Sequence, residues 1–131
     1  MPEESFDPGA DDRPPDYDTL LQGNLARVFN ERSAEARAAA LAELWAEDGE
    51  LVEPDRVVLG YAAISEAVAA LHSMLPPGAA FVPTGPVAGH HGVGRLNWRA
   101  VGPDGGVLTT GTDVAIVRGG RIGKLFVLLD G

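Results

Sequence analysis

The sequence predicts an α+β fold, with three N-terminal helices packed on one face of a curved, mostly antiparallel sheet that closes into a cone with a mouth. Two observations carry this. Apolar residues recur at helical spacing in three segments between Tyr17 and Leu75, whereas the remainder alternates like strands punctuated by turn residues. The chain then ends in a long hairpin, Thr109 to Gly131, whose two strands meet at Gly119-Gly120, a pair suited to tight turns that need positive φ. Helices followed by a meander of strands give segregated layers rather than alternating βαβ units.

The first sixteen residues, MPEESFDPGADDRPPD, are acidic, Pro-rich and poor in apolar side chains, so they read as a flexible tail. Residues 17–131 read as a single domain. Tyr17, Leu21, Leu25 and Val28 form the stripe of a first helix, with Asp16 or Asp18 as its cap. Ser33 is placed to cap a second helix over Ala34 to Ala46, with Ala38, Leu41, Leu44 and Trp45 on one face. Trp45, near its end, reads as core or as cavity wall. Asp48-Gly49 ends that helix, Glu50 to Glu53 is a short strand stopped by Pro54, and Val57 to Leu59 is another extended piece.

Gly60 opens a third helix, Tyr61 to Leu75, striped by Ile64, Val68, Leu71 and Leu75; His72 lies beside the stripe as a partly exposed residue. Pro76-Pro77-Gly78 stops it. Pro83 and Pro86 make the next strand an edge or an interrupted one. Gly89 to Gly92 is a bend. Its neighbouring histidines, His90 and His91, would point to opposite faces of a strand and match no zinc spacing, so no metal site is expected. Gly94 to Val101 is a long central strand turning at Pro103 to Gly106.

Closing the last hairpin at Gly119-Gly120 puts Val117 opposite Ile122, Ala115 opposite Lys124, Asp113 opposite Phe126 and Gly111 opposite Leu128. That register sends Val114, Ile116, Leu125 and Val127 to the other face. Asp113 thus stands mid-strand beside a phenylalanine, where a carboxylate is costly to bury unpaired. Two readings stay open: a pocket carboxyl with a raised pKa, or a carboxylate neutralised by Lys124 diagonally across the strands or left at the surface. A two- or four-residue turn at 103–106 places Leu96 opposite Asp113 and Trp98 opposite Gly111; a three-residue turn places Asn97 there. The first is preferred. It lays an indole over a glycine and sends Arg95, Asn97 and Arg99 outward.

An aspartate in a strand, a GGRI turn and a following apolar strand, together with LAELWAEDGELVEPDRVVLGYAAISEAV and HHGVGRLNWRAVGPDGG, resemble the SnoaL-like branch of the nuclear transport factor 2-like superfamily. The resemblance covers Tyr17 to Gly131. It implies the same cone fold, and at the position of Asp113 a general acid/base acting on small hydrophobic, polyketide-like substrates. Lys124 departs from the family's pattern, since relatives often carry an acid there. Beside Asp113 as the catalytic candidate, Trp45, Tyr61, Leu96, Trp98, Phe126 and Lys124 are the expected substrate-binding residues, with Glu53 and Tyr61 as candidates for a second acid/base group. Both an enzyme (isomerase, cyclase or hydrolase type) and a non-catalytic ligand-binding or dimerisation module remain open, because fold alone does not fix function.

Composition bounds the rest. The chain has 131 residues, room for one core, and no cysteine. Its formal net charge is −9, and six of its 19 acids lie in the tail. The remaining body is mildly acidic, which argues against nucleic-acid binding. No apolar run is long enough to span a membrane, and the composition suits a cytoplasmic protein. There is no Walker loop, GxSxG or dinucleotide fingerprint, so no cofactor is expected. The hairpin is apolar on both faces, and a homodimer through the outer sheet face would cover the second.

Overall fold

In the computed structural model, residues 15–130 are described. The tail expected over 1–16 falls outside them except for Pro15 and Asp16. Asp16 is the cap of the first helix, α1 (Tyr17–Asn24): its carboxylate accepts from the Thr19 amide at 3.0 Å and the Thr19 hydroxyl at 2.7 Å. α1 runs directly into a π-helical turn, Leu25–Phe29, in which the Asn30 amide reaches back five residues to the Leu25 carbonyl at 3.0 Å. Ser33 caps α2 (Ala34–Leu44), as its position predicts.

α2 ends two residues before the expected boundary, because Trp45 already starts a strand, β1 (Trp45–Glu53). Next come β2 (Arg56–Leu59), α3 (Tyr61–Met74), β3 (Ala80–Pro83), β4 (Ala88–His90), β5 (Val93–Val101), β6 (Val107–Arg118) and β7 (Arg121–Leu129). The sheet runs β2-β1-β7-β6-β5-β3, with β4 also pairing β5. Only β1 and β7 run parallel among these pairs. The two prolines interrupt the first segment as expected, splitting it into β3 and β4. Among the described residues no helix is long and apolar enough to cross a membrane.

The core lies between the helices and the concave sheet face. Leu21 and Val28, Leu41 and Leu44, and Ile64 and Val68 bring the helical stripes onto Leu51, Leu96, Ala115, Ile122 and Leu125. Arg37 is also buried; its guanidinium donates to the Ser65 hydroxyl at 3.0 Å and the Glu31 carbonyl at 2.7 Å, tying α2 to α3 and to the end of the π-turn.

Two register features position the site. Between β5 and β6, Leu96 pairs with Asp113 and Trp98 with Gly111, the preferred arrangement. The connection is longer than a four-residue turn, but a shift between Ala100 and Val101 restores the pairing. Between β6 and β7 the tight turn forms as predicted, with φ of 59° at Gly119 and 78° at Gly120, and Val117 pairs with Ile122. One residue later the register slips. Ile116 then faces Lys124, Val114 faces Phe126 and Asp113 faces Val127.

The slip is a bulge at Gly123, over which the Arg118 side chain lies so closely that a Cβ would stand 2.5 Å from its Nε. One inserted residue exchanges the faces of everything beyond it. Leu125 and Val127, expected outside, turn inward; Lys124 and Phe126, expected beside Asp113, turn outward.

Candidate active site

The concave face holds a cavity of about 170 Å³. The π-turn contributes Leu25 and Phe29, and α3 contributes Leu71; Leu75 joins them as the extended residue that follows α3, which ends one position short of the expected boundary. The sheet contributes Phe81, Trp98, Ala100, Val127 and Leu129, with Glu53, Pro54 and Thr109 completing the wall. Asp113 is the buried polar side chain in this lining, only 4 % exposed.

Its carboxylate Oδ1 accepts a hydrogen bond from Trp98 Nε1 at 2.9 Å; the other oxygen has no hydrogen bond among the described residues. Burial pushes the Asp113 pKa up to about 7, opposed by the Trp98 N–H, which favours the ionised form. A carboxyl poised there exchanges protons in either direction near neutral pH.

The Trp98 donor is itself fixed by the backbone beneath it. Gly111 lies under the indole, and a Cβ there would stand 2.5 Å from Trp98 Cζ2 and 2.7 Å from the Leu128 carbonyl oxygen. Phe81 meets the indole edge-to-face at 5.3 Å, and Phe29 meets Phe81 in the same way at 6.1 Å. Phe81, backed by Phe29, thus holds the tryptophan that holds the aspartate.

Asp113 and Trp98 are brought together as the sequence indicates. The other expected contacts are not. Trp45 is fully buried core, donating from Nε1 to Asn24 Oδ1 at 2.9 Å, and does not line the cavity. The Tyr61 hydroxyl donates to the Trp45 carbonyl at 2.7 Å, which occupies it in holding α3 to β1. Leu96 is fully buried beneath the floor opposite Asp113. Phe126 and Lys124 are on the convex face because of the Gly123 bulge. Lys124 Nζ lies 3.6 Å from Glu50 Oε1, its neighbour across β1, so the proposed Asp113–Lys124 pair does not form. Glu53 does reach the cavity wall, but its Oε1 is ion-paired with Arg56 Nε at 2.7 Å.

Sequence reasoning missed Val127, Leu129 and Ala100 as liners. The signals were present: Ala100 shares the face of Trp98 two residues on, and a glycine inside a strand marks a bulge. Leu71 and Leu75 belong to the stripe expected of α3 but end at the cavity instead of the closed core. The histidines need a correction too. His91 adopts φ of 51°, which breaks strand alternation and brings its Nδ1 to 3.0 Å from that of His90. Among the described residues no group of three or more His, Cys, Asp or Glu converges as metal ligands. His72 is half-buried, with Nε2 donating to the Phe29 carbonyl at 2.7 Å at the end of the π-turn.

A cone of helices on a curved, mostly antiparallel sheet is the nuclear transport factor 2-like fold, and here it encloses an apolar pocket with a buried carboxyl. No family model and no curated protein matches the sequence, but solved structures do. A protein of the SnoaL-like family from Agrobacterium tumefaciens, described as a candidate isomerase, is 34% identical and superposes with a TM-score of 0.80, over 86% of this chain and 96% of that one. The chain belongs to the SnoaL-like family.

Two more distant structures share the fold. A candidate polyketide cyclase from Sinorhizobium meliloti is 16% identical, with a TM-score of 0.65 over 82% of this chain and 92% of that one. A nuclear transport factor 2-like protein of unknown function from Cytophaga hutchinsonii is 12% identical, with a TM-score of 0.65 over 92% and 95%.

Proposed function

We propose that this protein is a cofactor-independent acid/base enzyme of the isomerase, cyclase or hydrolase type, acting on a small hydrophobic molecule held in the cone. The observation that carries the reading is Asp113: buried, bonded to Trp98 through one oxygen, unbonded at the other, and bordering an apolar cavity. The descriptions of the Agrobacterium and Sinorhizobium proteins point to the same reaction classes. Asp113 takes a proton from the bound molecule as carboxylate, or gives one as acid, while the apolar walls exclude water.

The test is deuterium incorporation from D2O into a panel of enolisable ketones, followed by proton NMR. The wild type should accelerate exchange next to the carbonyl, and Asp113→Asn should not. Equal rates for the two proteins sink the catalytic reading.

A second reading, a non-catalytic ligand-binding module, is favoured by one feature. Among the described residues no second free acid or base faces Asp113: Glu53 is ion-paired to Arg56, and the Tyr61 hydroxyl is held by the Trp45 carbonyl. Ligand binding without exchange chemistry in either protein would select it.

Homodimerisation through the convex sheet face is part of the same proposal. The apolar residues of that face after the bulge are Val52, Val57, Leu59, Val114, Ile116, Phe126 and Leu128, with Val57, Leu59 and Leu128 more than half exposed; Glu50, Lys124, Arg95, Asn97 and Arg99 share the face with them. A second copy is the economical cover for such a surface.

A further inference from the structure

Taking Asp113 as the acid/base group, we infer that the pocket selects neutral single-ring molecules bearing one carbonyl or hydroxyl, and rejects fused-ring and anionic ones. Three features of the cavity carry this. The first is volume. The space of about 170 Å³ is close to the roughly 150 Å³ in which an apolar protein cavity holds benzene, and well below the several hundred Å³ typical of pockets for drug-sized ligands.

The second is what sets that volume. Asp113 and Val127 form the inner rung of the sheet's contribution, and Ala100 and Thr109 form the outer one. The rung between is roofed by the Trp98 indole, pressed onto Gly111 and wedged by Phe81. Trp98 cannot swing away without clashing with Phe81 or releasing Asp113, so the pocket cannot lengthen along the sheet to take a second fused ring.

The third is charge. The ionisable side chains of the lining are Asp113 and Glu53; no Lys, Arg or His lines it among the described residues. An anionic substrate would lose its hydration and meet no cation in return. The buried polar group of the lining is the carboxyl of Asp113, while Thr109 is exposed and Glu53 is paired with Arg56; one carboxyl matches one carbonyl or hydroxyl on an otherwise apolar ring.

The experiment measures binding to the full chain by ligand-observed NMR and thermal shift, with phenol, cyclohexanone, benzoate, 1-naphthol and anthrone as probes. Phenol and cyclohexanone should bind at least about tenfold more tightly than 1-naphthol, anthrone and benzoate. Ala100→Leu, which fills the outer rung, should abolish the single-ring shift, while Leu75→Ala, which opens the helical wall, should admit 1-naphthol.

Equal or tighter binding of the fused-ring probes or of benzoate to the wild type overturns the inference, as does failure of both single-ring probes to bind. The wild-type ranking decides the matter even if a variant fails to fold. Selective single-ring binding without deuterium exchange would uphold the size and charge selection while removing the catalytic role of Asp113.

Discussion

Trp98 Nε1 donates to Asp113 Oδ1 at 2.9 Å across neighbouring strands, with both residues nearly sealed from solvent. This bond gives the carboxyl one fixed orientation and opposes the burial that makes its ionisation costly. Without it, a lone aspartate on the wall of an apolar cavity would be held protonated more strongly.

Asp113→Asn should stabilise the protein at alkaline pH. The folded pKa of about 7 exceeds the ordinary aspartate value, so the folded state holds its proton more tightly than the unfolded chain. Wild-type stability from this group is fully present below the ordinary aspartate value of 3.8, falls as pH rises from there to about 7, and levels above it. The amide does not titrate and keeps an acceptor for Trp98. The variant's advantage should therefore grow from a small value at pH 4 to on the order of 2–4 kcal/mol at pH 8. Urea denaturation at both pH values measures it, and a variant less stable than wild type at pH 8 contradicts the assignment.

Trp98→Phe removes the donor and keeps most of the ring. The ionised carboxylate loses its partner, so the Asp113 pKa should rise further, at a cost of about 1–3 kcal/mol at pH 8, where the group is charged. Titration of the Asp113 side-chain carboxyl carbon by NMR should show the midpoint moving up. An unchanged midpoint would mean that the bond does not tune the acid.

Gly111→Ala tests the backbone under the indole. Its methyl would meet Trp98 Cζ2 and the Leu128 carbonyl oxygen, and the carbonyl belongs to a paired strand that cannot easily yield. Overpacking of this kind costs about 1–3 kcal/mol. The near-UV circular dichroism of the tryptophan should change with it. A variant as stable as wild type, with an unchanged spectrum, would show that the ring has room to move.

Leu125→Glu and Phe126→Glu separate the two faces of β7. Leu125 is fully buried in the core, so its charge should unfold the chain. Phe126 is on the convex face opposite Val114, so its charge should leave a folded protein that no longer dimerises. Analytical ultracentrifugation with circular dichroism reads both. A wild type that sediments as a monomer at high micromolar concentration ends the dimer proposal.

The sequence by itself determined the elements and their local chemistry. The stripes of α1 and α3, the Ser33 cap, the proline break between β3 and β4 and the Gly119-Gly120 turn all depend on near neighbours, so they were legible from residue type and spacing; the α1 cap was narrowed to Asp16 or Asp18, and on α2 the buried face runs through Arg37 and Ala40, leaving Ala38 exposed. The Leu96–Asp113 pairing was legible too, because space over Gly111 demanded a large partner and Trp98 was the residue able to supply it. Tertiary structure alone decided which face of β7 lines the cavity. That face depends on one unpaired residue at Gly123, placed where Arg118 crosses the strand toward Asp48. The same holds for the π-turn that presents Leu25 and Phe29 to the pocket. Side-chain alternation carries no memory of register, so a single bulge far from Asp113 moved Lys124 away from it and Val127 beside it. Gly123 is a local signal that permits a bulge, but the packing of Arg118 over it decides that one forms there, and the chemistry of the candidate site rests on that.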